Sequence, residues 1–301
     1  ILIANTTTQK SPIERSAPLA GPLLMLAAAL LFTILIMLDK SLRPEYTVWH
    51  IGFFRFFGGM LILVSIFSFK GNPYKGNNIR LLIIRGCVGS IAFTSLITAI
   101  RLLPVSTALV IFYSYPAFSA ICSFMIYEER ISIAGMLSIA VMIIGVAILF
   151  DYHPGGGALG QMLAIVGSVF AGLTVTLIRS LRQINGPVII YLYFCTMGSL
   201  VTFPGFISNP IFPVTIGEGL MVLGIILTSV MAQLLMNQGF LYCKGWEGGV
   251  LMSSEVIFTA VVGIIFLEDP ATLKFWIGGI MILGSGLLLN YRKGAIAESR
   301  G

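Results

Sequence analysis

Apolar residues run along this chain in ten long blocks separated by short polar breaks. The blocks cover approximately residues 19–38, 46–69, 79–102, 105–127, 131–150, 158–177, 188–208, 219–241, 248–267 and 271–291. A helix needs about 20 apolar residues to cross the hydrocarbon core of a bilayer, and each block is of that order. The apolar character continues on all sides of each block instead of alternating with period two, which predicts helices and excludes a β-barrel. The breaks carry turn chemistry: Gly71-Asn72-Pro73, Pro154-Gly155-Gly156-Gly157, Asn185-Gly186-Pro187, and Asn209-Pro210 with Pro213. Several are only three to six residues long, so consecutive helices run antiparallel and pack as neighbours. The pattern predicts an all-α membrane protein of ten transmembrane helices.

Composition agrees. Of the 301 residues, 57% are hydrophobic and 10% charged, and the mean hydropathy is +0.98. Soluble domains carry about 25% charged residues to keep their surfaces wet; a chain this apolar takes lipid as its solvent. The net charge of +6 invites a nucleic-acid reading, but the placement of the basic residues speaks for membrane orientation instead. With a cytoplasmic N-terminus, thirteen Lys and Arg fall on inner segments and four (Lys40, Arg43, Arg101, Lys274) on outer ends, with Arg55 inside a block. That bias predicts both termini in the cytoplasm and no nucleic-acid partner. Residues 1–18 form a polar tail with Lys10 and Arg15 and no cleavable signal pattern, and 292–301 form a second tail. The four cysteines, Cys87, Cys122, Cys195 and Cys243, are widely spaced and read as small buried hydrophobes rather than disulfide partners or metal ligands.

The chain also repeats. A shift of 139 residues lays Lys40-Ser41-Leu42-Arg43 over Arg179-Ser180-Leu181-Arg182, Gly21 over Gly160, Glu129 over Glu268 and Gly145 over Gly284. Two halves follow, 19–151 and 158–291. Five crossings in each half is an odd number, so the second copy is inserted upside down. Inverted halves can exchange conformations of similar energy, the mechanical basis of alternating access.

With Arg55 in the second helix, Leu103-Pro104…Ala108 entering the fourth, Tyr115-Pro116…Glu128-Glu129-Arg130, and Leu267-Glu268 before a glycine-bearing tenth helix, the chain resembles the drug/metabolite transporter superfamily, in its EamA-type ten-helix branch. One position departs from that pattern: the shift places Glu255 where Pro116 sits in the first half, in a helix where similar proteins often carry proline. The resemblance implies a central cavity lined by helices one to four and six to nine, with five and ten peripheral. It also implies secondary transport, often export of amino acids or other metabolites, in an inner or plasma membrane of bacterial type.

Candidate chemistry sits on polar groups inside the blocks, where a charge costs several kcal/mol and needs a reason. Glu255, within Ser253-Ser254-Glu255, reads either as a proton-coupling group and counter-charge for a substrate ammonium, or as a structural polar contact, with Arg55 as a partner. Arg55 lies too deep to snorkel; it either bonds carbonyls or a facing helix, or binds a substrate carboxylate. Arg85, nearer a helix end, reads as a snorkelling orientation charge. Polar residues at helical spacing mark a wet face: Thr94, Thr98 and Arg101; Gln233 and Asn237; Phe112, Tyr115 and Ser119, with Tyr113 beside them. Such groups orient a small ligand or bond between helices. The substrate-binding candidates are Glu255, Ser254, Gln233, Asn237, Tyr115, Tyr113, Thr98 and Arg55, with Glu255 also the coupling candidate. Trp49 reads as an interface-belt residue with His50 beside it, and His153 as a loop residue. Glu128, Glu129, Arg130, Glu268 and Asp269 read as gate latches or helix caps. Ala134 and Ser138, four apart, could admit a close helix or a second protomer in a homodimer.

No phosphate-binding G-x-x-x-x-G-K-[ST], H-E-x-x-H or G-x-S-x-G occurs, so nucleotide hydrolysis, cofactors and metals are not expected. The reading is a secondary transporter of a small metabolite, such as an amino acid or amine-bearing compound, with protons as a candidate coupling ion. An uncoupled facilitator or exchanger is the first alternative, and an intramembrane lipid-modifying enzyme the second.

Overall fold

The computed structural model describes residues 19–103, 105–128, 131–149, 157–266, 273–274 and 276–285. The two tails, Pro104, Glu129, Arg130, His153, Glu268 and Asp269 lie outside the described residues. Every described regular element is helical. In hydrocarbon a backbone must satisfy its own N–H and C=O groups, and a helix does so within one segment.

The first three spans are Ala20–Ser41, Val48–Phe67 and Ile79–Leu102. The fourth is in two pieces, Val105–Phe112 and Tyr115–Tyr127, and the fifth is Ile133–Leu149. The second half repeats this: Ala158–Leu181, Pro187–Ser208 and Ile216–Gly239 as the sixth to eighth spans, then a ninth in two pieces, Gly245–Met252 and Ser254–Phe266. Trp276–Ser285 is the described part of the tenth. The blocks in the sequence thus correspond to the spans, with one feature they did not show: the fourth and ninth are broken.

Packing carries the repeat into three dimensions. The first span lies along the eighth and the third along the sixth; the second crosses the seventh; the third also meets the seventh, and the eighth meets the second. The fourth packs on the sixth and the ninth, and the ninth on the first. Exchanging the halves, one for six, two for seven and so on, maps this set of contacts onto itself. Individual close approaches obey the same rule. A Cβ on Gly21 would lie 2.9 Å from Tyr242, and one on Gly160 2.7 Å from Leu103; the two neighbours, like the two glycines, are 139 apart. The architecture is two inverted five-helix repeats.

Leu23, Leu61, Met125, Leu159, Leu200 and Leu220 point outward and exposed, the lipid-facing surface of a membrane bundle. Inside, Met25, Phe56, Leu82, Ile178, Tyr191 and Phe240 are fully buried. The small pair Ala134 and Ser138 is buried within the chain, so this stripe is used inside the bundle and does not offer a face to a second protomer. Cys195 and Cys243 are buried as expected, whereas Cys87 and Cys122 are only half-buried; none of the four is in a disulfide. Trp49 stays exposed at the start of the second span. Its neighbour His50 turns inward: Nδ1 bonds the Thr47 backbone N–H at 3.0 Å and its hydroxyl at 2.8 Å, while Nε2 meets the Asn209 carbonyl at 2.7 Å. The ring therefore caps its own helix and ties it to the end of the seventh span.

Candidate functional site

The two broken spans build the site. In the first half the helix stops at Phe112 and restarts at Tyr115, with Pro116 in the first turn of the new piece. Proline has no N–H and its ring clashes with the carbonyl four residues earlier, so it fits without loss in a helix's first turn, as here. In the second half the break falls at Ser253, the repeat partner of Ser114. The two pieces that follow, Tyr115–Tyr127 and Ser254–Phe266, correspond at both ends. Glu255 replaces the proline and stands in the first turn of its half-helix, where the positive end of the helix dipole favours an acidic group. Broken helices inside a bundle are where transporters place polar ligands, because half-helix ends and freed backbone groups are available there.

Around Glu255 the groups are polar and close. The Tyr113 hydroxyl is its hydrogen-bonding partner, and Arg55 is near enough to act on it electrostatically. Its backbone carbonyl accepts a bond from Thr33 Oγ1 at 3.4 Å, and Thr33 also meets Thr259 at 3.3 Å. Glu255 keeps partial accessibility, whereas Tyr113, Tyr115, Ser253 and Ser254 are buried. Tyr115 donates to the Gly249 carbonyl at 3.0 Å, joining the fourth span to the ninth beside both breaks. Phe112, Tyr113 and Tyr115 form one aromatic group, with centroids 5.7–6.3 Å apart.

Arg55 is buried in the facing wall. Its Nε donates to Ser229 Oγ at 2.7 Å, and its guanidinium carbon lies 5.2–5.7 Å from the rings of Phe32, Phe56 and Phe93. Aromatic faces hold a cation with little water. Tyr191 shares the Ser229 hydroxyl at 3.1 Å.

The eighth span supplies a polar stripe, Ser229, Gln233 and Asn237, at i, i+4 and i+8. Its repeat partner in the third span is Ser90, Thr94 and Thr98, which turn their hydroxyls onto their own helix at 2.8, 2.5 and 2.7 Å. On the eighth span amides replace two threonines and reach neighbouring helices. Gln233 Oε1 accepts from Arg85 at 3.5 Å, and Asn237 Nδ2 donates to the Pro187 carbonyl at 3.2 Å. Asn237 Oδ1 is buried without a partner.

Arg85 corrects a sequence expectation. It does not snorkel: the side chain is fully buried, with its guanidinium carbon 4.1 Å from the centre of the Phe194 ring. Gly86 and Gly89 sit beside it, and Phe194 and Gln233 come from helices of the other half, so an inward course is open to the side chain. Distance from a helix end could not reveal this. Ser229 and Tyr191 were also missed; Ser229 was legible as the next member of the stripe toward the helix start, whereas nothing in the sequence singled out Tyr191. Thus Glu255, Tyr113, Tyr115 and Arg55 come together, with Ser254 at the break. Gln233 and Asn237 continue the wall below Ser229, and Thr98 is bonded to its own helix. Among the described residues no group of three or more His, Cys, Asp or Glu could hold a metal.

Known proteins agree with this architecture. The sequence profile of the EamA-like transporter family matches residues 19–151 and again 158–291. The chain is 23% identical over 277 residues to the pseudopaline exporter CntI of Pseudomonas aeruginosa, covering 91% of this chain and 97% of that one. It is 22% identical over 285 residues to an uncharacterized transporter of Helicobacter pylori, covering 91% and 96%. A protein of known crystal structure shares the fold with a TM-score of 0.76 at 16% identity, over 89% of this chain and 96% of that one. With both halves matched by one family profile, this multi-pass membrane protein belongs to the EamA-like transporter family.

Proposed function

We propose that the protein is a secondary transporter that exports a small amine-bearing metabolite, such as an amino acid, by alternating access across a bacterial inner membrane, with both termini cytoplasmic. The observation that carries the reading is the pair of helix breaks at repeat-equivalent positions, with a carboxyl, Glu255, at one break and Arg55 near enough to act on it. Opposite charges across a cavity suit a zwitterion, its ammonium toward Glu255 and its carboxylate toward Arg55, with the Tyr113 and Tyr115 hydroxyls orienting it. Ser254, Gln233, Asn237 and Thr98 become contacts as the half-helices move.

Glu255 is also the coupling group. It faces Arg55 and the Tyr113 hydroxyl, with Tyr115 and Thr33 close by, and a carboxyl so placed exchanges its proton when the cavity opens to either side. Export as the direction is supported by the relative named an exporter, and the orientation by thirteen inner against four outer Lys and Arg.

Purified protein in liposomes, offered a mixed metabolite extract with and without a pH gradient, tests this. Gradient-dependent accumulation of a few compounds beyond protein-free vesicles, lost in Glu255→Gln, is the expected result. Equal entry without a gradient would instead mark an exchanger or facilitator, and no accumulation would refute transport.

A further inference from the structure

Two cations inside the bundle differ in their counter-charges. Arg55 and Arg85 are both buried, and Glu255 and Asp39 are carboxyls that act on Arg55. Among the described residues no carboxylate pairs with Arg85; the groups that act on it are Cys195, Tyr191 and the like charge of Arg55. Its hydrogen bonding is incomplete as well. Nη2 reaches Gln233 Oε1 only at 3.5 Å, and Nε and Nη1 are buried with no partner. Five guanidinium N–H groups in a fixed fork are built to grip an oxyanion, and leaving a buried cation unpaired is costly. Glycine lets the ring pack close beside the fork: a Cβ on Gly89 would lie 3.5 Å from Nη1 and 2.9 Å from the Phe194 ring.

Position relates this group to the first cation. Arg55 bonds Ser229 and Arg85 bonds Gln233, successive members of one helical stripe and so about 6 Å apart along the axis. Both guanidinium groups lie against aromatic rings, Phe56 and Phe93 for Arg55 and Phe194 for Arg85. Phe56 and Phe194 meet edge to face with centroids 4.9 Å apart, so one aromatic group separates two cations.

We propose that Arg85, held by Gln233 and Phe194, is a second acid-binding subsite one helical turn from Arg55, and that the transported compound therefore carries at least two acidic groups. This rests on the transport reading above and narrows its substrate to small amino di-acids and similar anions. In the present conformation Phe194 and Gln233 cover the subsite; it opens as the third and eighth spans part.

The same proteoliposomes test it. Compounds accumulated by the wild type from the mixed extract are sorted by their number of acidic groups, and accumulation is repeated with Arg85→Gln and Arg85→Lys. The expected result is accumulation of compounds with two or more acidic groups, a loss of about tenfold or more in Arg85→Gln, and a smaller loss in Arg85→Lys. Accumulation of single-acid compounds only would overturn this inference and leave the transport reading standing, whether or not either variant folds. Wild-type uptake of two-acid compounds by Arg85→Gln would do the same. No accumulation of any compound would overturn both. In detergent, a melting temperature that falls when chloride is replaced by gluconate, for the wild type but not Arg85→Gln, would assign the subsite to a resident inorganic anion and overturn the proposal.

Discussion

Gly198→Ala should destabilise the protein by about 1–3 kcal/mol, the usual cost of adding a methyl group to a filled core. The second and seventh spans cross at this point, and a Cβ on Gly198 would lie 2.6 Å from the Phe56 ring. That ring cannot step aside. It is fully buried and held edge to face by Phe93 at 5.3 Å and Phe194 at 4.9 Å. Phe56→Leu alone removes two such pairs, each worth about 0.5–1.5 kcal/mol, and should also destabilise. In the double variant the smaller leucine makes room for the new methyl group, so the combined loss should be about 1–2 kcal/mol less than the sum. Gly219→Ala is the control, since a Cβ there meets nothing within 4 Å and alanine favours the helix. The assay is thermal unfolding in one detergent at one scan rate, because membrane-protein melts are commonly irreversible. If Gly198→Ala melts with Gly219→Ala, or if the two losses simply add, the close crossing is wrong. Because Phe194 also lies under Arg85, Gly198→Ala should lower transport more than its loss of stability alone explains.

Three further outcomes follow from named contacts. Glu255→Gln, fixed neutral, should give transport that no longer varies with pH; a profile retaining the wild-type shape in liposomes would remove Glu255 from coupling. Asn185→Ala should cost about 1–3 kcal/mol, because buried Asn185 both accepts from the Asn77 N–H at 2.7 Å and donates to its carbonyl at 3.0 Å, and a melting temperature within error of wild type would contradict this. Tyr115→Phe should cost only about 0.6 kcal/mol, since the Gly249 carbonyl keeps the bonds from the Ser253 N–H and hydroxyl at 3.1 Å; a much larger loss would show that the phenol holds the two broken helices together.

Much of the fold was legible because lipid imposes a simple rule. Each crossing must be long, apolar and helical, so the apolar blocks reveal the number and approximate limits of the spans. The 139-residue shift likewise survives into packing, as Gly21 and Gly160 meet Tyr242 and Leu103. Polar candidates inside the blocks were legible as exceptions to the same rule: Glu255, Arg55, and the stripe containing Gln233 and Asn237. Pro116 hinted at a break in the fourth span. Glu255, at the matching place in the ninth, carried no such signal, since nothing in a glutamate forbids a continuous helix.

By itself, the sequence determined a membrane bundle of ten helices in two copies, with a few ionisable groups that need partners. Tertiary structure alone decided which partners those are. Arg85 shows the limit: one helix end seemed close enough for its charge to reach water, yet the third, seventh and eighth spans close over it and set it on Phe194. Hydropathy is a property of each segment and reads along the chain. Pairing of charges depends on which faces of distant helices meet, here Arg55 with Ser229 and Arg85 with Gln233 across 174 and 148 residues, and no local pattern encodes that.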